Sequence, residues 1–250
     1  MKISIVMPVY NGAKTLRRAL DGMVNQGADE IVVIDDCSTD ETPQILASYP
    51  QITVHRYPAK SEDHNKAMEP IIEAMNADYI VTAACDDLLY PGMVAAVRRA
   101  LSAAQGSPGV VSCEFDHVTE DGQLIRTNRF SPVQVEFTPE TYRAYVANFT
   151  ARPASGCTAA FRKDLLVWLQ NEDYASLGPW ADMWGCLLAS LAAGAIYVTG
   201  PLGAFTMRGD SYSGKISRDQ IQRAKYLKAA EAFLTRPSIM PLARGVKFPI

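Results

Sequence analysis

The sequence predicts an α/β fold, a mostly parallel central sheet flanked by helices and built as a single domain. Three observations carry that expectation. Apolar runs of strand type alternate with one-sided helical stripes over the first hundred residues. The connections between them are short, as in repeated β-α units. And Ile31-Val32-Val33-Ile34 is β-branched throughout without alternation, which suits a strand covered on both faces.

Residues 3–7 form the first strand-type run, closed by Pro8. Leu16, Ala19, Leu20, Met23 and Val24 then recur at three and four, the stripe of a helix with one buried face. After the strand at 31–34, a helix starts from about Asp40. Pro43 must lie in its first turn, which favours Asp40 over Ser38 as the N-cap. Residues 52–54 predict a third strand, 65–75 a helix, 79–82 a fourth strand, and Pro91 opens a helix to about Gln105. The pattern then loosens. Strands at 110–115 and 124–130 flank an Asp121-Gly122 turn, and short helices follow at 139–146 and 163–170. A longer helix from about Pro179 to Ala193 stops at Gly194 and gives way to two short strands. Ser217-x-x-Gln220 reads as a capping box for the last helix, to about Leu234. Residues 236–250, with Pro237, Pro241 and Pro249, read as an irregular tail.

Composition removes several function classes. In 250 residues, 24 Lys+Arg face 27 Asp+Glu for a net charge of -3, so this is no basic nucleic-acid domain. With 48% hydrophobic residues, the chain can bury a core without disulfides or metal staples. Its five cysteines are scattered, odd in number and never in a CxxC pair, which predicts a reducing, cytoplasmic setting. His55, His64 and His117 form no zinc spacing. The N-terminal apolar run is too short for a signal peptide. Residues 183–207 carry no charge and match the length of a bilayer span, but Gly185, Gly194, Gly200, Pro201 and Gly203 interrupt them. A buried helix followed by strands fits them better.

In open parallel sheets, ligands sit outside the carboxyl ends of the strands. Three loops there share a chemistry: Pro8-Val9-Tyr10-Asn11-Gly12, Asp35-Asp36-Cys37-Ser38-Thr39-Asp40, and Ala84-Cys85-Asp86-Asp87-Leu88. Carboxylates brought together repel unless a cation, a proton or a donor-rich ligand offsets them. Their hard oxygens suit Mg2+ or Mn2+ bridging to substrate phosphates. The plainer alternative is that Asp35, Asp36 and Asp40 cap helices and make turns.

At these residues the chain resembles a family. Ile5-Val6-Met7-Pro8-Val9-Tyr10-Asn11-Gly12, followed by Ile31-Val32-Val33-Ile34-Asp35-Asp36-Cys37-Ser38-Thr39-Asp40-Glu41-Thr42, is similar to the opening of family-two glycosyltransferases of the GT-A fold. The resemblance is sharpest over residues 3–100. It implies one domain over 1–235, with a nucleotide-binding half at 1–105 and an acceptor half at 106–235. It places Pro8 and Tyr10 near the nucleotide base and has Asp35 and Asp36 bond the base or ribose. Asp86 and Asp87 would hold a Mn2+ or Mg2+ ion and a ribose hydroxyl. The chain departs from the family at Ala84, where the first Asp of its DxDD pattern usually stands.

On the acceptor side, the family's base falls at Asp182, with Ala181 where a Glu often stands. Asp182 is also the only acid between Asp173 and Asp210, and its two flanking tryptophans would desolvate it and raise its pKa. Trp180 and Trp184, four apart, could form a sugar-stacking wall or simply pack in the core. The segment from Gly156 to Lys163 resembles the family's small-residue strand, and is equally a buried strand ending in a basic turn. Arg208 matches a diphosphate clamp, and Asp210 replaces the family's His as a further metal ligand. Gly209 to Lys215 mimics a phosphate loop, but Ile216 denies it the Ser or Thr hydroxyl.

The resemblance thus implies an inverting transfer from a nucleoside-diphosphate sugar, a UDP-sugar favoured, to a glycan or lipid-linked acceptor hydroxyl in cell-surface glycan or polysaccharide assembly. A catalytically silent nucleotide- or glycan-binding member of the same fold is the alternative. The tail could pack on the domain, on a second copy as a homodimer, or at the inner face of the membrane.

Overall fold

The computed structural model describes residues 1–61, 64–131, 133–148, 158–209, 218–244 and 246. Strand β1 (Ile3–Val9) passes through helix α1 (Ala13–Val24) to β2 (Glu30–Asp35), then α2 (Thr42–Ala47), β3 (Thr53–Arg56), α3 (His64–Ala74) and β4 (Tyr79–Thr82). These four strands pair in parallel in the order β3-β2-β1-β4. The predicted stripe of α1 is the face it buries, with Leu16, Ala19, Leu20 and Met23 all inside.

Strand β1 runs through Pro8 rather than ending before it. The Val6 carbonyl accepts from Ala83 N–H on the β4 side, and the Val9 carbonyl accepts from Asp36 N–H on the β2 side. Pro8 is in phase with Val6, so its missing N–H faces the β4 side. Pairing with β4 has already ended there, at Val6 and Thr82. No ladder bond is lost, and a proline fits inside a central strand.

Beyond β4 come a two-residue strand β5 (Leu88–Leu89), α4 (Met93–Ala103), β6 (Val110–Val118), β7 (Leu124–Asn128), β8 (Val135–Phe137), α5 (Pro139–Asn148), β9 (Ala159–Arg162) and α6 (Lys163–Asn171). A 3-10 turn, Tyr174–Trp180, leads into α7 (Ala181–Ala193), β10 (Ala195–Thr206), α8 (Gln220–Leu234) and α9 (Met240–Ala243). Strand β9 lies antiparallel between β4 and β6, so β6 and its parallel neighbour β10 run the same way as the first four strands. Strands β5, β7 and β8 are short antiparallel additions to β10 and β6.

Several expectations change. The two short strands after Gly194 are one strand, β10, whose register with β6 shifts on both sides of Pro201. Gly200 makes the bulge at φ 87, a left-handed conformation that favours glycine. The buried Glu114 fixes the bulge, one carboxylate oxygen accepting from Gly200 N–H at 3.0 Å and the other from Phe130 N–H at 2.9 Å. Helix α7 begins at Ala181, not Pro179, because Gly178 turns the chain at φ 64 in front of it. Helix α8 is capped by Asp219, which accepts from the N–H groups of Ile221 and Gln222, and Ser217 lies outside the described residues. The tail is not wholly irregular, since it holds α9 and buries Ile239 completely.

The two faces of the sheet carry separate cores. Ile3, Ile5, Met7 and Val9 pack under α1 and α4, while Val6, Val32 and Ile34 pack under α3, α6 and α7. A third cluster joins Tyr142 and Val146 of α5 to Leu187, Leu191, Ala195 and Tyr197. Each large side chain fully buried in these cores contributes roughly 1.5–3 kcal/mol. Among the described residues, no helix is long and apolar enough to cross a membrane.

Candidate active site

The carboxyl ends of β1, β2 and β4 open on one rim of the sheet, and the loops leaving them are bonded to each other. Asn11 N–H donates to Ser38 Oγ at 2.9 Å, while Asn11 Oδ1 accepts from Thr39 N–H at 2.8 Å. Gly12 N–H donates to Thr42 Oγ1, and the Asp40 carboxylate accepts from Ala13 N–H at 3.1 Å and Thr42 N–H at 2.9 Å. Asn11 sits at φ 49, and a Cβ on Gly12 would come within 2.6 Å of the Val9 side chain. So Asn11, Ser38, Thr39, Asp40 and Thr42 are the framework of the first two loops. Asp40 is not the N-cap expected of it: α2 starts at Thr42 with Glu41 at the cap position, and the Asp40 carboxylate instead ties the turn ahead of the helix to the first loop. Burial raises the Asp40 pKa, but bonds from Thr42 and Ala13 outweigh it and hold the carboxyl below its usual value.

Tyr10, Asp35 and Asp36 project from this framework. Tyr10 is 44% exposed, with the Lys60 ammonium 4.6 Å from its ring centroid. Asp35 is wholly buried. One of its oxygens accepts from Ser38 N–H, and the other lies 3.4 Å from Arg56 Nε without a hydrogen bond. Asp36 accepts from Ser61 N–H at 2.7 Å and Ser61 Oγ at 2.8 Å. Arg56, Lys60 and Ser61 were not among the residues expected at the site. Their signal was positional, since all three stand at or just after the end of a third parallel strand.

The acidic loop after β4 is tied to the exit of β10. Asp87 is buried and accepts from Thr206 N–H at 2.8 Å, while Asp86 pairs with Arg208 at 3.2 Å. Arg18 of α1 crosses between them, bonding the Asp86 carbonyl at 3.3 Å and Thr206 Oγ1 at 2.9 Å. Thr15 Oγ1 holds the Cys85 carbonyl at 2.8 Å. Burial pushes the Cys85 thiol up to about 12, with Asp86 and Asp87 adding to the shift. Among the described residues, no cluster of three His, Cys, Asp or Glu is placed to hold a metal ion. Asp210 lies outside the described residues. Two adjacent carboxylates still fit a divalent ion that takes one or two protein oxygens and completes its shell with phosphates.

Asp182 lies in the first turn of α7, in the other half of the chain. Helix α7 joins β10 through Gly194 alone, so it runs back along the sheet and carries its first turn toward the end where β10 finishes. The expectation of a desolvated Asp182 is overturned. The side chain is exposed, and its carboxylate accepts from Met183 N–H at 2.7 Å. The tryptophans do not enclose it, because they point into packing contacts. Trp184 is buried in the second core, and Trp180 sets its edge against Tyr226 with centroids 6.3 Å apart. Gly156 and Cys157 lie outside the described residues. Strand β9, antiparallel, ends at the opposite rim, where Arg162 pairs with Asp164 and Lys163 bonds the carbonyls of Glu73 and Met75. That basic turn is remote from the acidic loops.

Residues 4–168 match the family model for glycosyl transferase family 2. An uncharacterized glycosyltransferase of Rickettsia typhi is 29% identical over 120 residues, which is 47% of this chain and 37% of that protein. The succinoglycan biosynthesis protein ExoO of Rhizobium meliloti is 26% identical over 98% of this chain and 71% of its own length. Among solved structures, residues 1–349 of S. aureus TarS in complex with UDP-GlcNAc superpose with a TM-score of 0.71 at 18% identity, covering 98% of this chain and 70% of that one. The mannosyltransferase PcManGT of Pyrobaculum calidifontis, in complex with GDP-Man and Mn2+, gives 0.57 at 20% identity, with 98% and 68% covered. At these identities the structures show a shared fold, a GT-A sheet with its flanking helices.

Proposed function

Because this chain belongs to glycosyl transferase family 2, we propose that it moves a sugar from a nucleoside-diphosphate sugar to an acceptor hydroxyl, inverting the anomeric centre in a single displacement. The observation that carries this reading is the meeting of three strand-end loops at one rim. One brings an exposed aromatic, one an acidic pair with an arginine behind it, and one a second acidic pair whose Asp86 is bound to Arg208. In this reading Pro8 and Tyr10 border the base, and Asp35 and Asp36 accept from the base or ribose. Asp86 receives a ribose hydroxyl, and Arg208 clamps the diphosphate. A Mn2+ or Mg2+ ion held at Asp86 and Asp87 would neutralise charge on the departing diphosphate. The Mn2+ in the PcManGT complex supports that assignment.

Asp182 takes the proton of the acceptor hydroxyl at a carboxylate oxygen. Its exposure supports the role by putting the carboxylate within reach of an acceptor arriving from solvent. The TarS complex supports a UDP-sugar as donor, and the ExoO likeness supports a glycan acceptor in polysaccharide assembly. The test is release of nucleoside diphosphate from UDP-sugars with Mn2+ and a glycan acceptor. Asp182→Asn should fold, still bind nucleotide and lose transfer by about 100-fold or more. Transfer retained in that variant would place the base elsewhere. Nucleotide binding without turnover in the wild type would instead establish the catalytically silent member.

A further inference from the structure

The Asp86–Arg208 ion pair puts a protein cation on the carboxylate that the proposed function assigns to a divalent ion. We propose that Arg208 is the resident counter-ion of Asp86 and moves onto the donor's diphosphate when nucleotide binds, so that divalent-ion binding is conditional on nucleotide. The inference rests on the reading of Asp86 and Arg208 given above and adds the order in which their partners change.

Geometry supports an exchange of side chains without movement of the loops. The backbone leading into Arg208 and that of the acidic loop are pinned. Thr206 N–H is held by Asp87 at 2.8 Å, Met207 N–H by the Val118 carbonyl at 2.7 Å, and Arg18 bridges the Asp86 carbonyl to Thr206 Oγ1. Arg208 therefore starts from a fixed point beside the acidic loop, and its long side chain supplies the reach. The two side chains are 22% and 28% exposed, so solvent screens their attraction only in part. A divalent ion approaching Asp86 meets a guanidinium already on that carboxylate, and two cations at one site repel. A diphosphate resolves the conflict, because its planar bidentate match to guanidinium competes with Asp86 for Arg208. Ion and nucleotide then bind together more tightly than either alone, and by linkage each strengthens the other by the same factor.

Mn2+ titrated into the nucleotide-free protein, with the free ion read by electron paramagnetic resonance, tests this directly. Arg208→Gln should bind Mn2+ at least about fivefold more tightly than wild type, the lower end of common coupling factors. Arg208→Lys, a weaker partner for Asp86, should fall between them, and serves if the Gln variant does not fold. Adding Asp86→Asn to Arg208→Gln should erase the gain. An unchanged or weaker Mn2+ affinity in both Arg208 variants overturns the exchange. UDP affinity of the wild type, measured with and without Mn2+, separates that failure from a deeper one. Metal-dependent UDP binding beside an unchanged Arg208→Gln sinks the exchange alone, whereas metal-independent UDP binding sinks the metal reading and the exchange with it.

Discussion

Asp35 and Asp40 stand in one loop and use their charge differently. Asp40 spends both oxygens on backbone N–H groups, of Ala13 and Thr42, and so welds the first rim loop to the second. Asp35 keeps one buried oxygen without a hydrogen bond beside Arg56. The first behaviour was legible only in part: the sequence marks Asp40 as an N-cap, but α2 starts one residue later than that and Asp40 bonds Thr42 N–H in the turn ahead of it. The partners Arg56, Ser61 and Arg18 were not legible. They reach the acidic residues across the fold, and no spacing along the chain encodes such a meeting. Asp40 also gives a pH prediction. Its carboxyl and that of Asp29, which bonds Ile3 N–H and Arg98, are both held below the ordinary value of 3.8. A carboxyl that ionises at lower pH when folded stabilises the fold above its unfolded pKa, and that stability is lost as pH falls through the folded value. The urea midpoint should therefore drop as pH is lowered from 5 to 3. Asp40→Asn should flatten part of that drop and cost about 1 kcal/mol at pH 7, because the amide keeps one accepting oxygen for the two N–H groups. An identical pH profile in the variant would remove Asp40 from the account.

At the scale of elements, β1, β2, β4 and α1 were readable because each shows its period or its unbroken apolar run, whereas β3, four exposed residues, shows neither. Strands β5 and β8, of two and three residues, are too short for any period and exist only because β10 offers them an edge. The division of β10 into two strands mistook a bulge for an ending. Gly200 and Pro201 look like a turn in sequence, yet Glu114 on the neighbouring strand satisfies the backbone there and keeps the strand going. This makes Glu114 an architectural residue despite its charge. Glu114→Ala strands two N–H groups, of Gly200 and Phe130, at about 1–3 kcal/mol each, so a loss of roughly 2–6 kcal/mol is expected. Glu114→Gln keeps one accepting oxygen and should lose about half as much. Chemical denaturation of the two variants checks the order, and a harmless Glu114→Ala would mean that the bulge holds itself.

Across the whole molecule, the rim proposed to take the nucleotide is built by β1, β2 and β4, while Asp182, the proposed base, depends on α7 and on what packs behind it. Part of that backing comes from the tail. Ile239 is fully buried with Phe233 and Trp184 in the second core, and Leu242 packs against both the second and third clusters. Arg143 of α5 clamps the tail from outside, donating to the carbonyls of Leu242 and Arg244 at 3.0 Å each. Three prolines in fifteen residues hid this from sequence reading, because the anchoring is done by single side chains and not by a periodic face. Ile239→Ala should cost about 2–5 kcal/mol as a core truncation. At about 2–4 °C per kcal/mol for a chain of this size, the midpoint should fall by at least about 4 °C. The loss should divide unevenly between the two halves of the site. UDP affinity at low temperature should stay near wild type, because the loops at Tyr10, Asp35 and Asp86 are anchored to the sheet and to α1. Transfer should fall further, because α7 has lost part of its support and carries Asp182. A parallel loss of UDP affinity and transfer would show that the tail braces the whole sheet and not the acceptor half.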